Sequence, residues 1–250
     1  MKTINEIEKK TQYYKVRFDD EWIMIEPEIF LKFHLKLLQT YDTKTYHQLI
    51  MENDYAHYYK LGIIHLKKMQ TTKELSDYLR SKGAQESIIK QLIIKFTERK
   101  YLDDYAYTKL YVQLKQNTDG PQMIDHKLKE KGIPPDLILS FIKHIDEHQI
   151  LNQLVTKKMS SIKNKSKKQV IQTLKGYYLK KGFSMESVET AIKKAISSYQ
   201  VDELDLIKKE YAKLIKKYHN QDKEQLEYKI IQKLYAKGFK IEDIKKAIQS

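Results

Sequence analysis

Leu128-Lys129-Glu130-Lys131-Gly132-Ile133-Pro134-Pro135-Asp136 reads as the end of one helix and the start of the next. A glycine just past a helix takes the left-handed conformation without a Cβ clash, and the apolar residue after it folds back toward the residue four before the glycine. Leu128 and Ile133 are such a pair, and Lys131 sets positive charge at the negative end of the helix dipole. The two prolines and Asp136 then open a further helix.

The same punctuation recurs at Leu79-Arg80-Ser81-Lys82-Gly83-Ala84, Tyr178-Leu179-Lys180-Lys181-Gly182-Phe183 and Leu234-Tyr235-Ala236-Lys237-Gly238-Phe239. The glycines are 49, 50 and 56 residues apart, and apolar residues follow each at six and ten positions: Ile89 and Ile93, Ile138 and Ile142, Val188 and Ile192, Ile244 and Ile248. This is an internal repeat, and a period near 50 residues favours a string of small helical modules that lean on one another over one large core.

Each module reads as three helices. In the second, Asp103 or Asp104 caps a helix bearing Ala106, Leu110, Tyr111 and Leu114, Gly120-Pro121 opens a second helix, and Pro134-Pro135-Asp136 a third. The first module echoes it: Asp54-Tyr55-Ala56 matches Asp104-Tyr105-Ala106, and Thr71-Thr72-Lys73-Glu74 supplies a capping box. Asp146-Glu147 and Asp202-Glu203 precede the corresponding helices of the last two. Ahead of the modules, Tyr14, Val16 and Phe18 alternate with charged residues, Asp19-Asp20-Glu21 makes a turn, and Trp22-Ile23-Met24-Ile25 returns as a second strand. Trp22 is read there as an apolar anchor, and Pro27 opens a short helix. The expected fold is mainly α: tandem three-helix, helix-turn-helix-like repeats in a curved array behind a small N-terminal β-hairpin and helix. The divisions are 1–40, 41–97, 98–145, 146–199 and 200–250.

Absence of cysteine excludes disulfides, thiolate metal sites and cysteine nucleophiles. Neither a signal-peptide pattern nor an 18-residue apolar run occurs, so a cytoplasmic protein without membrane partners is expected. Net charge is +14 and uneven: basic residues exceed acidic ones by 3 over 1–96, 0 over 97–142, 8 over 143–200 and 3 over 201–250. In the basic third module, Lys163, Lys165, Lys167 and Lys168 approach a helix that carries Lys175, Lys180 and Lys181, an arrangement suited to a polyanion. Only Arg17, Arg80 and Arg99 are arginine, and lysine neutralises phosphate without the bidentate fork that reads guanine, so backbone contacts are expected.

Helix-turn-helix geometry raises the prospect of major-groove reading, yet the candidate recognition helices open with Gln85-Glu86-Ser87, Pro134-Pro135-Asp136, Ser184-Met185-Glu186 and Lys240-Ile241-Glu242, which are acidic or apolar and repel phosphate. His144 and His148 have zinc-protease spacing, taken as i,i+4 on a helix, but Ile145 stands where the motif needs Glu. No phosphate-binding glycine loop, catalytic constellation, metal site or cofactor site is found in the sequence. Most of the 19 tyrosines, among them Tyr101, Tyr105, Tyr107 and Tyr111, read as packing residues, whereas Tyr177 and Tyr178 lie among lysines as candidates for stacking on single-stranded bases.

Tyr101-Leu102-Asp103-Asp104-Tyr105-Ala106-Tyr107, with Gly120-Pro121, Ile124, Leu128 and Lys131-Gly132-Ile133, resembles the central signature of the RecX family, regulators of the RecA recombinase. Lys73-Glu74-Leu75, Tyr78-Leu79-Arg80 and Lys82-Gly83 resemble its first repeat, and the likeness runs from about residue 12 to the end. Three repeats are usual in that family and four are read here. The arginines common in the signature's second helix are absent, and only Lys127, Lys129 and Lys131 are basic there.

The resemblance implies a crescent of three-helix repeats lying in the groove of the RecA–DNA filament and limiting filament growth, ATP hydrolysis and strand exchange. The expected protein is therefore a non-enzymatic, monomeric modulator of RecA in homologous recombination, DNA repair and the SOS response. Its partners would be the RecA filament and single-stranded DNA, with double-stranded DNA as a further partner. The alternative is a helical repeat protein that binds the nucleic-acid backbone without RecA. The candidate nucleic-acid or filament contacts are Lys163, Lys165, Lys167, Lys168, Lys175, Lys180, Lys181, Lys127, Lys129 and Lys131.

Overall fold

The computed structural model describes residues 1–218 and 223–249; residues 219–222 and 250 of the expected fourth module lie outside the described residues. After the short helix α1 (Pro27–Lys32), the helices come in threes: α2 (Thr43–His65), α3 (Thr72–Ser81) and α4 (Glu86–Glu98); α5 (Asp104–Lys115), α6 (Pro121–Glu130) and α7 (Pro135–Ile142); α8 (Glu147–Ser160), α9 (Lys167–Lys180) and α10 (Met185–Ile196); α11 (Glu203–Tyr218), α12 (Lys223–Ala236) and α13 (Ile241–Gln249).

One capping rule starts the first helix of every triple. The carboxylates of Asp42, Asp103, Asp146 and Asp202 accept the N–H groups of Thr45, Ala106, Gln149 and Asp205 at 2.9–3.1 Å, satisfying donors that the helix itself leaves open. The echo expected at Asp54 is corrected by this: Asp54 lies within α2, which begins about three turns earlier at its Asp42 cap. His144 and His148 are likewise not on one helix. His144 is in the turn after α7 and His148 in α8, separated by the Asp146 cap.

Gly83, Gly132, Gly182 and Gly238 all have φ between 79° and 90°, in the left-handed region. At three of them the closing bonds are those of a Schellman turn: Gly83, Gly182 and Gly238 donate to Arg80, Leu179 and Tyr235, and the residues after them donate to Leu79, Tyr178 and Leu234.

These turns are also joints. The carbonyl of Lys131 accepts the Thr71 hydroxyl at the start of α3 (2.7 Å), that of Lys237 accepts the Ser166 hydroxyl at the start of α9 (2.9 Å), and that of Lys181 accepts the N–H of Gly120 at the start of α6 (2.7 Å). In each case the carbonyl end of one triple's middle helix meets the amide end of the preceding triple's middle helix, so opposite dipole ends face each other. Thr71 and Ser166 do double duty. Each hydroxyl oxygen caps its own helix by accepting from Glu74 or Gln169, within a full capping box, while its proton goes to the joint. Gly120 has no hydroxyl, so its main chain makes the contact directly and Gln122 adds a bond to the Gly182 carbonyl at 3.1 Å.

Ion pairs flank two joints, Lys131 with Glu74 and Lys181 with Asp119. Burial works to raise the Glu74 pKa, but hydrogen bonds from Lys131 and Thr71 outweigh it and hold the carboxyl below its usual value. Its stabilisation is therefore complete above the ordinary carboxylate pKa and lost as pH falls through the lower folded value. Glu74→Gln is expected to cost about 1 kcal/mol at pH 7. The gap between the urea midpoints of variant and parent should narrow as pH falls below the ordinary carboxylate range and close once Glu74 is protonated in the folded protein.

The N-terminal region holds more than a hairpin. β2 (Tyr14–Phe18) and β3 (Glu21–Ile25) form the expected hairpin, but β1 (Lys2–Lys9) and β4 (Thr40–Tyr41) complete an antiparallel sheet of order β3-β2-β1-β4. Trp22 does not anchor the core. It stands on the outer face, 36% exposed, with the Lys15 ammonium 4.3 Å from its ring. Ile4, Val16, Phe18 and Ile25 fill the inner face against Ile29, Tyr46 and Leu49.

By packing, the described residues group into two compact units: 1–108 with 130–133, and 109–129 with 134–249. The first contains the sheet core and a second core around Leu75, Leu79, Leu92 and Phe96. The second contains one core around Val155, Leu174, Tyr178 and Phe183, and another around Ile207, Leu234, Phe239 and Ile244. No helix of the described residues is long and apolar enough to cross a membrane.

Candidate nucleic-acid interface

The joint between α6 and the Lys181-Gly182 turn opens into a cleft of about 490 Å³. Tyr111 and Lys115 reach it from α5, Met123, Ile124 and Lys127 from α6, and Tyr177, Lys180 and Lys181 from the end of α9 and its turn. Its floor is apolar and its rim carries four lysines against one carboxylate, Asp119. That carboxylate is committed to Lys181 at 2.8 Å, and the bond raises the Lys181 pKa so that the ammonium stays charged.

Tyr177 is 42% exposed, set edge-on against Tyr178 at 5.0 Å between centroids, with the Lys158 ammonium 3.9 Å from its ring. An exposed aromatic ring fixed by packing and surrounded by ammonium groups can stack a base while the lysines meet its phosphates. Tyr178 cannot. It is 2% exposed, and burial pushes its pKa up to about 12. Tyr101 and Tyr105, read as packing residues, are each more than half exposed, though the Tyr101 ring lies 6.5 Å from that of the buried Phe96.

The other lysines named from sequence are dispersed. Lys163 is exposed and Lys165 half-buried in the α8–α9 connection, where Asn164 takes φ 57°, and Lys167 is exposed at the first position of α9. Lys168 packs its stem near Gly238 and its ammonium 5.7 Å from the Tyr235 ring. Lys175 is paired with Glu189 at 2.6 Å and Lys129 with Asp125 at 2.7 Å. Lys131 belongs to the joint with Glu74. Because a helix rises about 1.5 Å per residue, Lys167 and Lys180 at the two ends of α9 are about 20 Å apart. These lysines thus separate into a cluster at the start of α9 and in the connection before it, Lys163, Lys165, Lys167 and Lys168, and a cleft cluster, Lys127, Lys180 and Lys181. The cleft also contains Tyr111 and Lys115, and Lys158 overlies its tyrosine; sequence reasoning did not select any of these for binding. Tyr111 and Lys115 are one helical turn apart, ahead of a Gly-Pro helix start, which is a usable signal; Lys158 has none.

A family model described as RecX, third three-helix domain, matches residues 201–248, the stretch of the last triple. The regulatory protein RecX of Streptococcus mutans is 30% identical over 261 aligned positions that cover 98% of both chains. That of Bacillus licheniformis is 27% identical over 87% of this chain and 86% of its own. A crystal structure of RecX from Lactobacillus salivarius, 25% identical, superposes with a TM-score of 0.52 over 58% of this chain and 97% of its own.

Proposed function

Because the chain belongs to the RecX family, we propose that it is a non-enzymatic modulator that binds RecA and RecA–DNA filaments, chiefly restraining RecA ATP hydrolysis and strand exchange in recombination, repair and the SOS response. It acts in the cytoplasm, as a monomer. Its working units are the triples over 41–97, 98–145, 146–199 and 200–250. The observation that carries the reading is the cleft at the α6–α9 joint, where Lys115, Lys127 and Lys180 surround the exposed Tyr177 ring. Such a surface takes the sugar-phosphate backbone and unstacked bases of single-stranded DNA without reading sequence. Lys163, Lys165 and Lys167 extend the basic track at the far end of α9.

The test is RecA-dependent ATP hydrolysis on single-stranded DNA with the protein titrated in. Suppression is expected, and an unchanged rate at several-fold excess over RecA refutes the reading. Tight binding to DNA alone without any effect on RecA would instead make it an independent DNA-binding repeat protein. Tyr177→Ala is expected to weaken single-strand binding by about 1–3 kcal/mol per stacked base. Fluorescence titration with an oligonucleotide measures it.

A further inference from the structure

β3 is an edge of the sheet, and its register with β2 fixes which of its main-chain groups are already used. Glu21, Ile23 and Ile25 lie opposite Phe18, Val16 and Tyr14. β2 turns its odd-numbered residues toward β1, as the flanking bonds from Asp19 to Thr3 and from Lys10 to Tyr13 require, so its even-numbered residues bond β3. Trp22 and Met24 therefore point their main chain outward. Asn53 of α2 closes part of this edge: its side chain donates to the Met24 carbonyl at 2.9 Å and accepts the Glu26 N–H at 2.8 Å. The Trp22 N–H, the Trp22 carbonyl and the Met24 N–H have no partner among the described residues.

The open edge does not face bulk solvent alone. A groove of about 720 Å³ runs between β3 and α2, and it joins a second of about 590 Å³, sharing Met51, Asp54 and Gln85. Met24 and Met51 are 59% and 71% exposed along it. An exposed edge strand flanked by apolar side chains is a liability unless something is meant to pair with it. Charge says what kind of segment that is. Although the chain as a whole is basic, the paired grooves contain the carboxylates of Glu21, Glu28, Glu52 and Asp54 against one lysine, Lys32, which is paired with Glu52. Asp54 has neither an ion pair nor a hydrogen bond among the described residues, and partial burial raises its pKa, so a cation brought beside it relieves an existing cost.

We propose that this edge and groove receive an extended segment of RecA as a fifth strand, with its main chain on Trp22 and Met24, an apolar side chain over Ile50 and Met51, and a lysine or arginine on Asp54. The proposal rests on the function given above and deepens it by assigning the protein contact to the sheet region and the nucleic-acid contact to the tyrosine cleft. Strand addition draws affinity from main-chain bonds and specificity from alternate side chains, which is what a free edge beside a pocketed groove provides.

The experiment compares four proteins: the parent, Met24→Pro, Met24→Ala and Asp54→Asn. Each is titrated against RecA filaments formed on a single-stranded oligonucleotide, and against the oligonucleotide alone. Proline at 24 removes an outward N–H that takes no part in the β2–β3 ladder, so the sheet should persist by circular dichroism. Met24→Pro is expected to weaken filament binding about tenfold and Met24→Ala, which keeps the donor, about threefold or less. Asp54→Asn should cost about threefold, without the backbone change. None should alter binding to the bare oligonucleotide, and the Trp22 and Met24 amides should exchange more slowly in the filament complex. If the parent binds filaments while Met24→Pro and Asp54→Asn bind equally well, the strand site is overturned and the function stands. If the parent fails to bind filaments, both fall. Self-association that Met24→Pro abolishes, with filament binding intact, would make the occupant a second copy and overturn the proposal as well.

Discussion

Gly182→Ala is expected to destabilise the protein by about 3 kcal/mol or more, whereas Gly83→Ala, at the equivalent turn of the first triple, should cost about 1–2 kcal/mol. Both glycines hold positive φ, 79° and 90°, so both substitutions strain the main chain. The difference is in what the new methyl group meets. At Gly83 the nearest atom is the Tyr58 hydroxyl at 3.5 Å, an ordinary contact. At Gly182 the methyl would be driven into the main chain of Met123 in the first turn of α6, which cannot swing aside as a side chain can. The joint must open, and its bonds from Gly120 to Lys181 and from Gln122 to Gly182 lengthen with it. Urea unfolding of the two variants measures the contrast, and equal losses at both turns would show that the joint adds nothing beyond the strain of a left-handed alanine.

Replacing Lys115, Lys127 and Lys180 together by glutamine is expected to weaken single-strand binding at least about tenfold and to flatten its logarithmic salt dependence by about 2, at roughly 0.7 per lost phosphate contact. Stability should change little, since exposed lysines contribute little to folding. Lys181 is left intact because its pair with Asp119 belongs to the joint. The companion variant changes Lys163, Lys165 and Lys167, about 20 Å away along α9. A reduced slope in both variants means that the strand runs the length of the helix, and an unchanged slope in both means that these lysines form only a solvated face.

The helical repeat was legible in sequence because its signals are local. Lys-Gly followed by an apolar residue, Asp before a first helix, and Thr71 three residues before Glu74 each specify a few neighbouring dihedrals. β1 was not legible. Its sequence, Lys-Thr-Ile-Asn-Glu-Ile-Glu-Lys, offers only two apolar residues, Ile4 and Ile7, and a bulge between Ile4 and Glu6 breaks the alternation expected of a strand. Trp22 was misread because alternation tells which residues share a face and not which face is covered. The cleft was half legible: charge density marked Lys180 and Tyr177, but Tyr111 and Lys115 join them only through a joint between residues about 60 positions apart, which no local pattern encodes.

The Tyr58 hydroxyl donates to the Lys82 carbonyl at 3.4 Å, occupying on the first triple the acceptor that the later turns offer to a preceding helix. The other three joints all use a peptide carbonyl as acceptor, against the small hydroxyls of Thr71 and Ser166 and the bare N–H of Gly120. What a joint asks of its neighbour is therefore small, one hydroxyl or one exposed N–H at the start of a middle helix, so a triple gained or lost by duplication or deletion in the gene needs few side chains to match. Tyr58 marks where such growth stops, because a further triple on the amino-terminal side would first have to displace it.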